Sequence, residues 1–302
     1  MIDVHCHMAN IKVFSKYFIN GIIKDLNDSI SIGNDSNVSD FVKIMSMNVL
    51  SDNEGKKIIK QMDDAGIDKS VLLIIDLFYN SAECDGGEKI KQVHEYYLSL
   101  LKKYPDRFIV FAGIDPRRGK SGVDLFEKDI KEYNFKGLKL YPPCGFEIND
   151  KSLDPYYELC DYYHLPVLIH TGPSLKDMYL STKYPYTLIE VAKKYKNVNF
   201  ILAHAGILYY EEGLKLIQNY KNIYLDISGF ERVSKNKTEF QEKMKSLFKY
   251  APDKVLFGTD WPLYSFNVTQ KTWVNYVKEN SGLSDKKLEK LFDTNARKII
   301  DI

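Results

Sequence analysis

The sequence predicts a (β/α)8 TIM barrel, a single domain with a long insertion after the first strand. Three observations lead there. Short apolar runs recur near residues 2, 70, 108, 137, 166, 199, 223 and 255, separated by segments with helical periodicity. They are apolar on both faces, as strands of a buried parallel sheet are, and strand–helix alternation implies right-handed βαβ units. Eight such units suit a chain of 302 residues. No glycine-rich phosphate loop follows any run, which disfavours the alternative, a doubly wound open sheet. No internal repeat, low-complexity tract or linker interrupts residues 1–302, so one barrel domain is expected.

The first strand is Ile2 to His7. Side chains alternate along a strand, so His5 and His7 share one face and Cys6 takes the other. By the same alternation Asp3 shares the face of the two histidines, one pleat deeper, in a buried hydrogen-bonding role. Residues 8–52 mix Phe14, Tyr17, Phe18, Ile22, Ile23 and Phe41 with many Asn, Asp and Ser. A loop this long is either a lid over a site or a peripheral decoration. A helix from Glu54 to Ala65 stops at Gly66, followed by the run Ser70–Asp76. Helices over Gly87–Tyr104, Gly122–Tyr133, Leu153–Tyr163, Tyr186–Tyr195, Glu211–Tyr220 and Thr238–Tyr250 each lead to the next apolar run. Helical segments complete the chain.

Composition narrows the function classes. Forty-two basic and 41 acidic residues leave a net charge of +1, which argues against nucleic acid or an acidic membrane as the main partner. No apolar run reaches a membrane span, and the N-terminus has no signal-peptide pattern. Cys6, Cys84, Cys144 and Cys160 are scattered without CxxC spacing and read as reduced thiols. A cytoplasmic protein acting on a small molecule is the expectation.

Barrel enzymes keep their chemistry at the C-terminal ends of the strands. There the sequence places His5 and His7 on strand one, Lys139 on strand four, His170 on strand five, His204 on strand six and Asp260 on strand eight. Four of the six histidines thus sit at strand ends. Of the other two, His94 is mid-helix on an expected solvated face, and His164 precedes strand five at the opposite end of the barrel. Imidazole and carboxylate ligands suit Zn and similar divalent metals, and four or fewer protein ligands leave room for a reactive water. Arg117 and Arg118 follow strand three, where they would either clamp a carboxylate bidentately or lie in a solvated turn. Tyr141, Cys144 and Trp261 follow strand ends and are expected to line the pocket. Asp226 and Ser228 on strand seven are expected to pack.

Asp-Val-His-Cys-His at residues 3–7, Ile-His-Thr-Gly at 169–172, Ala-His-Ala-Gly at 203–206 and Phe-Gly-Thr-Asp-Trp-Pro at 257–262 resemble the amidohydrolase superfamily. The nearest branch is the amidohydrolase-related group that includes aminocarboxymuconate-semialdehyde decarboxylase, and Thr294-Asn-Ala-Arg297 is similar to its final helix. The resemblance implies that His5, His7, His170 and Asp260 ligate metal. It implies that Asp260 also accepts a proton from the attacking water. His204 would orient that water and polarise the substrate, or act as a ligand in a binuclear site. Lys139 would be carboxylated and bridge two metals, or contact a substrate carboxylate, or serve structure. Independently of the resemblance, their places after strand ends make Arg117, Tyr141 and Trp261 the expected substrate contacts. The implied function is hydrolysis of a small-molecule amide, lactone or ester by a metal-activated water. The alternative is non-oxidative decarboxylation of a small aromatic or unsaturated acid. One or two divalent ions are implied, with Zn2+ the first expectation, and a homodimer is the implied assembly. A barrel that only binds a metabolite would have no physical need of so complete a set.

Overall fold

The computed structural model describes all residues except 31–43, 80–86, 173, 180–185, 231–233, 235, 264–267 and 302, and leaves out the side chains of 26–30, 207 and 208. Phe41 and Cys84, noted in the sequence, lie outside the described residues.

Eight parallel strands form one sheet in chain order: β1 (Ile2–Cys6), β2 (Lys69–Leu73), β3 (Phe108–Gly113), β4 (Leu138–Leu140), β5 (Val167–Ile169), β6 (Phe200–Leu202), β7 (Ile223–Asp226) and β8 (Val255–Leu256). The expected barrel is present, with each strand where the apolar runs placed it. The chain just past β8 turns alongside β1. Val4 N–H donates to Phe257 O at 2.9 Å, Asp260 N–H to His5 O at 2.7 Å and His7 N–H to Trp261 O at 2.7 Å. These bonds draw the two ends of the sheet together and seat Asp260 beside the histidines of β1.

Helices lie between the strands: α1 (Lys16–Ile30), α2 (Lys56–Ala65), α3 (Glu88–Lys103), α4 (Lys120–Lys131), α5 (Asp154–Tyr163), α6 (Thr187–Lys194), α7 (Tyr210–Asn219) and α8 (Lys237–Tyr250). After β8 come α9 (Gln270–Asn280), α10 (Asp285–Glu289), a π-helical turn Lys290–Thr294 and α11 (Asn295–Ile299). Inward strand residues, among them Val4, Val71, Phe111, Leu168, Ile201 and Leu256, form an inner core. Ala296, Ile299 and Ile300 join it. The neighbouring Asp293 lies 3.9 Å from the Met1 ammonium, so the last helix closes the end at which the strands begin. The other end is left for chemistry. Among the described residues no helix is long and apolar enough to cross a membrane.

Part of the 8–52 insertion settles onto that open end. Phe14, Phe18 and Ile19 of the α1 region are buried. Phe18 meets the Tyr141 ring edge-on at 6.3 Å, and Ile19 and Ile22 line a hollow with Pro262 and Leu263, just past Asp260. Gly21, in the middle of a helix where glycine is costly, has its reason here. A Cβ at this position would lie 2.3 Å from Leu175 Cδ1, in the segment after β5.

His94 corrects an expectation. It is fully buried, with Nδ1 2.8 Å from Asp129 Oδ2 on α4 and Nε2 3.1 Å from Gly113 O on β3. Ile90, Val93, Tyr97 and Leu100 form the buried face of α3. His94, four residues after Ile90 and three before Tyr97, lies on that stripe. His164 caps the C-terminus of α5 in a left-handed conformation, as a structural residue would.

Candidate metal centre

The site begins with an irregularity in β1. Asp3 pairs with Ser70 and Cys6 with Leu72, so β1 spends one residue more than β2 over the same interval. Such a bulge re-aims the side chains that follow it. Ile2 and Val4 belong to the inner core, Cys6 to the outer one. Past the bulge His5 and His7 turn to the barrel mouth. Asp3 therefore does not share their face. It accepts from Cys6 Sγ at 2.8 Å, from Thr259 N–H at 3.0 Å and Oγ1 at 2.6 Å, and from Gln270 Nε2 at 3.2 Å. Its hydrogen-bonding role is as expected, but it braces the residue before Asp260. Burial pushes its carboxyl up to about 6.

Both β1 imidazoles are braced at Nδ1. His7 Nδ1 donates to Leu73 O at 2.9 Å, since a carbonyl only accepts. His5 Nδ1 lies 3.0 Å from Asp226 Oδ2. Each Nε2 is thereby left with its lone pair, and each lies 3.3 Å from Asp260 Oδ1. His5 Nε2 and Asp260 Oδ1 are buried and make no hydrogen bond. These donor atoms lie within 4.8 Å of one another.

Protonation states suit cation binding. Burial, and then the Lys139 charge, hold His5 well below its ordinary value, and burial lowers His204. Burial pushes the Asp260 carboxyl up, but positive charge on the surrounding histidines, when they carry it, outweighs that and keeps it below its ordinary value, so Asp260 is a carboxylate. Metal ligands must be deprotonated, so neutral imidazoles and a carboxylate with orphaned donors fit a divalent ion at His5, His7 and Asp260. His204 and Asp260, the two expected proton-handling residues, have left-handed backbones with φ of 58° and 54°. Non-glycine residues rarely adopt this region, and strain of this kind clusters at functional sites.

His204 lies in the same cluster, its ring centroid 4.9 Å from that of His5. Its Nδ1 is 3.1 Å from Ser228 O and 2.9 Å from Ser228 Oγ, and its Nε2 is 3.3 Å from His170 Nδ1. His170 thus joins the cluster through His204, while its ring packs 4.6 Å from Tyr141. His5, His204 and Asp226 form a second grouping within 4.8 Å. Those atoms already engage one another and Ser228, so this grouping braces the site.

Asp226 and Ser228 do more than pack. Asp226 Oδ1 accepts from the His204 N–H at 3.2 Å, from Ser228 N–H at 2.9 Å and from Ser228 Oγ, while Oδ2 faces His5. Their two-residue spacing at the end of β7 signals a shared inward face, but their partners are His5 of β1 and His204, just past β6. Histidine ligands depend on such braces for tautomer and ring orientation. Asp226→Asn or Ser228→Ala should therefore weaken metal binding about 10–100-fold with the fold intact. Titration of the metal-stripped variants against a chelator of known affinity measures this, and unchanged affinity would reduce the pair to packing.

The arginines are used within the protein. Arg117 closes its fork on Asp115, with Nε to Oδ1 at 2.8 Å and Nη2 to Oδ2 at 2.5 Å, and reaches Cys144 O at 2.8 Å. Arg118 is neither an open clamp nor a solvated turn, because its side chain is buried against Asp76 at 2.5 and 3.0 Å. Cys144 lines a cleft over the ends of β2 to β5 with Tyr17, Tyr79, Met178 and Tyr179. Burial pushes its thiol far up, which disfavours the thiolate. Trp261 is buried, and its backbone pairs with β1 beside Cys6 and His7.

A (β/α)8 barrel with histidines and an aspartate gathered at the C-terminal strand ends defines a class of metal-using barrel enzymes. The chain belongs to the amidohydrolase family, whose model, described as Amidohydrolase, matches residues 2–302. No curated protein matches the chain. Among solved structures it is similar to 5-carboxyvanillate decarboxylase from Novosphingobium aromaticivorans, in complex with manganese and 4-hydroxy-3-methoxy-5-nitrobenzoic acid (TM-score 0.66, 16% identity, 100% of this chain and 95% of that one). It is also similar to 2,6-dihydroxybenzoate decarboxylase from Rhizobium (0.66, 15%, 98% and 98%). A third is 4-oxalomesaconate hydratase from Rhodopseudomonas palustris (0.63, 18%, 100% and 95%).

Proposed function

We propose that the protein is a metal-dependent, non-oxidative decarboxylase of a small aromatic or unsaturated carboxylic acid. One observation carries this choice over hydrolysis: the barrel with the His5–His7–Asp260 cluster is similar, over its whole length, to decarboxylases of two different aromatic acids. The hydrolase expectation rests on the strand-end ligand set and the water it would activate, and that set serves either chemistry.

A divalent ion held by His5, His7 and Asp260, with His170 alongside, would supply a Lewis acid that draws electron density from the substrate's oxygens. Imidazole and carboxylate ligands accept Zn or Mn, and a similar decarboxylase holds manganese. The rest is work for side chains. As the bond to the carboxylate breaks, its electron pair stays on the ring or alkene carbon, and that carbon takes up one proton. Asp260, ionised among neutral imidazoles, collects a proton from an acidic group of the substrate and returns it to that carbon, and solvent replaces the proton consumed. His204 is held at Nδ1 by Ser228, and through the Nε2 that meets His170 Nδ1 at 3.3 Å the two rings together would stabilise charge that develops on the substrate. Burial of these groups keeps water from competing for the carbanionic carbon.

The test loads the protein with Mn or Zn and offers hydroxylated benzoic acids and unsaturated dicarboxylic acids in D2O. The expected result is CO2 equimolar with a product bearing one deuterium at the vacated carbon. Hydrolysis of amides, lactones or esters with no CO2 from any acid would overturn the proposal in favour of a hydrolase. Hydration of an unsaturated acid without CO2 would overturn it in favour of a hydratase.

A further inference from the structure

Lys139 is a buried lysine whose Nζ has no hydrogen-bond partner among the described residues. It lies within β4, opposite Gly113 of β3 and Leu168 of β5. Its neighbours Leu138 and Leu140 belong to the outer core, so alternation turns Lys139 into the barrel. The residue is 1% exposed, and Nζ makes no hydrogen bond among the described residues. The charges that bear on it most are Asp260 and Asp226. Asp226 is already taken up by His5, Ser228 and the His204 N–H, and Asp260 faces His5 and His7. Burial accordingly draws the Lys139 amine down to about 8.

A buried ammonium whose Nζ makes no hydrogen bond is a costly arrangement, even with two carboxylates near enough to bear on it. A partner from outside the chain resolves the cost. Charge bookkeeping says what kind. Asp260 and Asp226 contribute two negative charges, a divalent ion two positive and Lys139 one more, which leaves a single positive charge for one anionic group to balance. An ammonium resting on the departing carboxylate would hold it in its charged ground state and slow its loss as CO2. The complement is an anion that the product keeps.

We propose that Lys139 Nζ anchors a second, retained oxyanion of the substrate, a carboxylate or phenolate oxygen. This rests on the decarboxylase reading and narrows it to dicarboxylic or hydroxycarboxylic acids.

The test is binding, read without turnover. Benzoate serves as a product-like monoanion and benzamide as its neutral counterpart, titrated calorimetrically into metal-loaded wild type, Lys139→Met and Lys139→Gln, with metal content measured on each. Wild type should bind benzoate in preference to benzamide. Both variants should lose benzoate affinity by at least about tenfold, the scale of one charge-assisted hydrogen bond, at unchanged metal content. Lys139→Met should melt no lower than wild type, because it removes an uncompensated charge. Equal benzoate affinity in the variants, or no preference for benzoate in wild type, would overturn the anchor. Metal lost on either substitution would overturn it in favour of Lys139 as a metal-bridging group. A Lys139→Met chain that fails to fold would overturn it in favour of a structural lysine. The decarboxylase reading is judged separately by CO2 release, so either proposal can fail alone.

Discussion

Asp260→Asn should lower kcat by about a thousandfold or more and strip most of the metal, since the metal's charge stabilisation and the proton-accepting carboxylate are lost together. The substitution keeps the shape of the side chain and removes its charge. Asp260 Oδ1 is the atom that His5 Nε2 and His7 Nε2 both face at 3.3 Å, and despite its burial the carboxyl lies below its ordinary value. An amide oxygen there is a weaker ligand and cannot accept the proton. His5→Ala should behave the same way, because it removes a donor and also frees Asp226 from its brace role. Metal content by elemental analysis, beside turnover and circular dichroism, checks both. Either variant with full metal and full activity would remove the cluster from the chemistry.

The largest expected effect on stability is far from the site. His94→Ala should destabilise the protein by about 3–5 kcal/mol, the range for removing one member of a buried charge pair. It would leave Asp129 buried with no imidazole beside it and the Gly113 carbonyl without its donor. The pH dependence has a definite sign. Burial pushes the His94 imidazole down, but Asp129 and the Gly113 carbonyl pull it above its ordinary value. A histidine whose folded pKa is raised contributes fully below the unfolded value of about 6.5 and loses that contribution as pH rises through the folded value. The gap between wild type and His94→Ala, measured by urea unfolding at matched pH, should therefore be widest in mild acid and narrow in alkali. A gap that widens with pH would mean that His94 is buried neutral.

Much of the site was legible because a barrel concentrates function at one strand end. Once the apolar runs are read as strands, the positions of His5, His7, Lys139, His170, His204 and Asp260 follow from where each run stops. What was misread depended on partners that spacing does not show. Asp3 was placed with His5 and His7 because strict alternation has no way to register the extra residue in β1. His94 was placed in solvent because a histidine reads as polar until its place on the Ile90–Tyr97 stripe is followed. Arg118 reads as open to a ligand because Asp76, which takes it, comes from the end of β2, while Asp115 stands two residues before Arg117 in the same turn and only the fold shows that this fork closes.

By itself the sequence determined the eight-strand architecture, the end of the barrel that carries chemistry and the residue types that meet there. Those follow from local periodicity and from the short range over which a strand or helix is specified. Only the tertiary structure decided the roles: that Asp226 and Ser228 hold the imidazoles, that α1 packs over the mouth, and that Lys139 Nζ finds no hydrogen bond among the described residues. Each of these is a hydrogen bond, a contact or the lack of one between segments up to 223 residues apart. Which atoms meet is set by closure of the ring and by a one-residue bulge, quantities that belong to the folded chain as a whole.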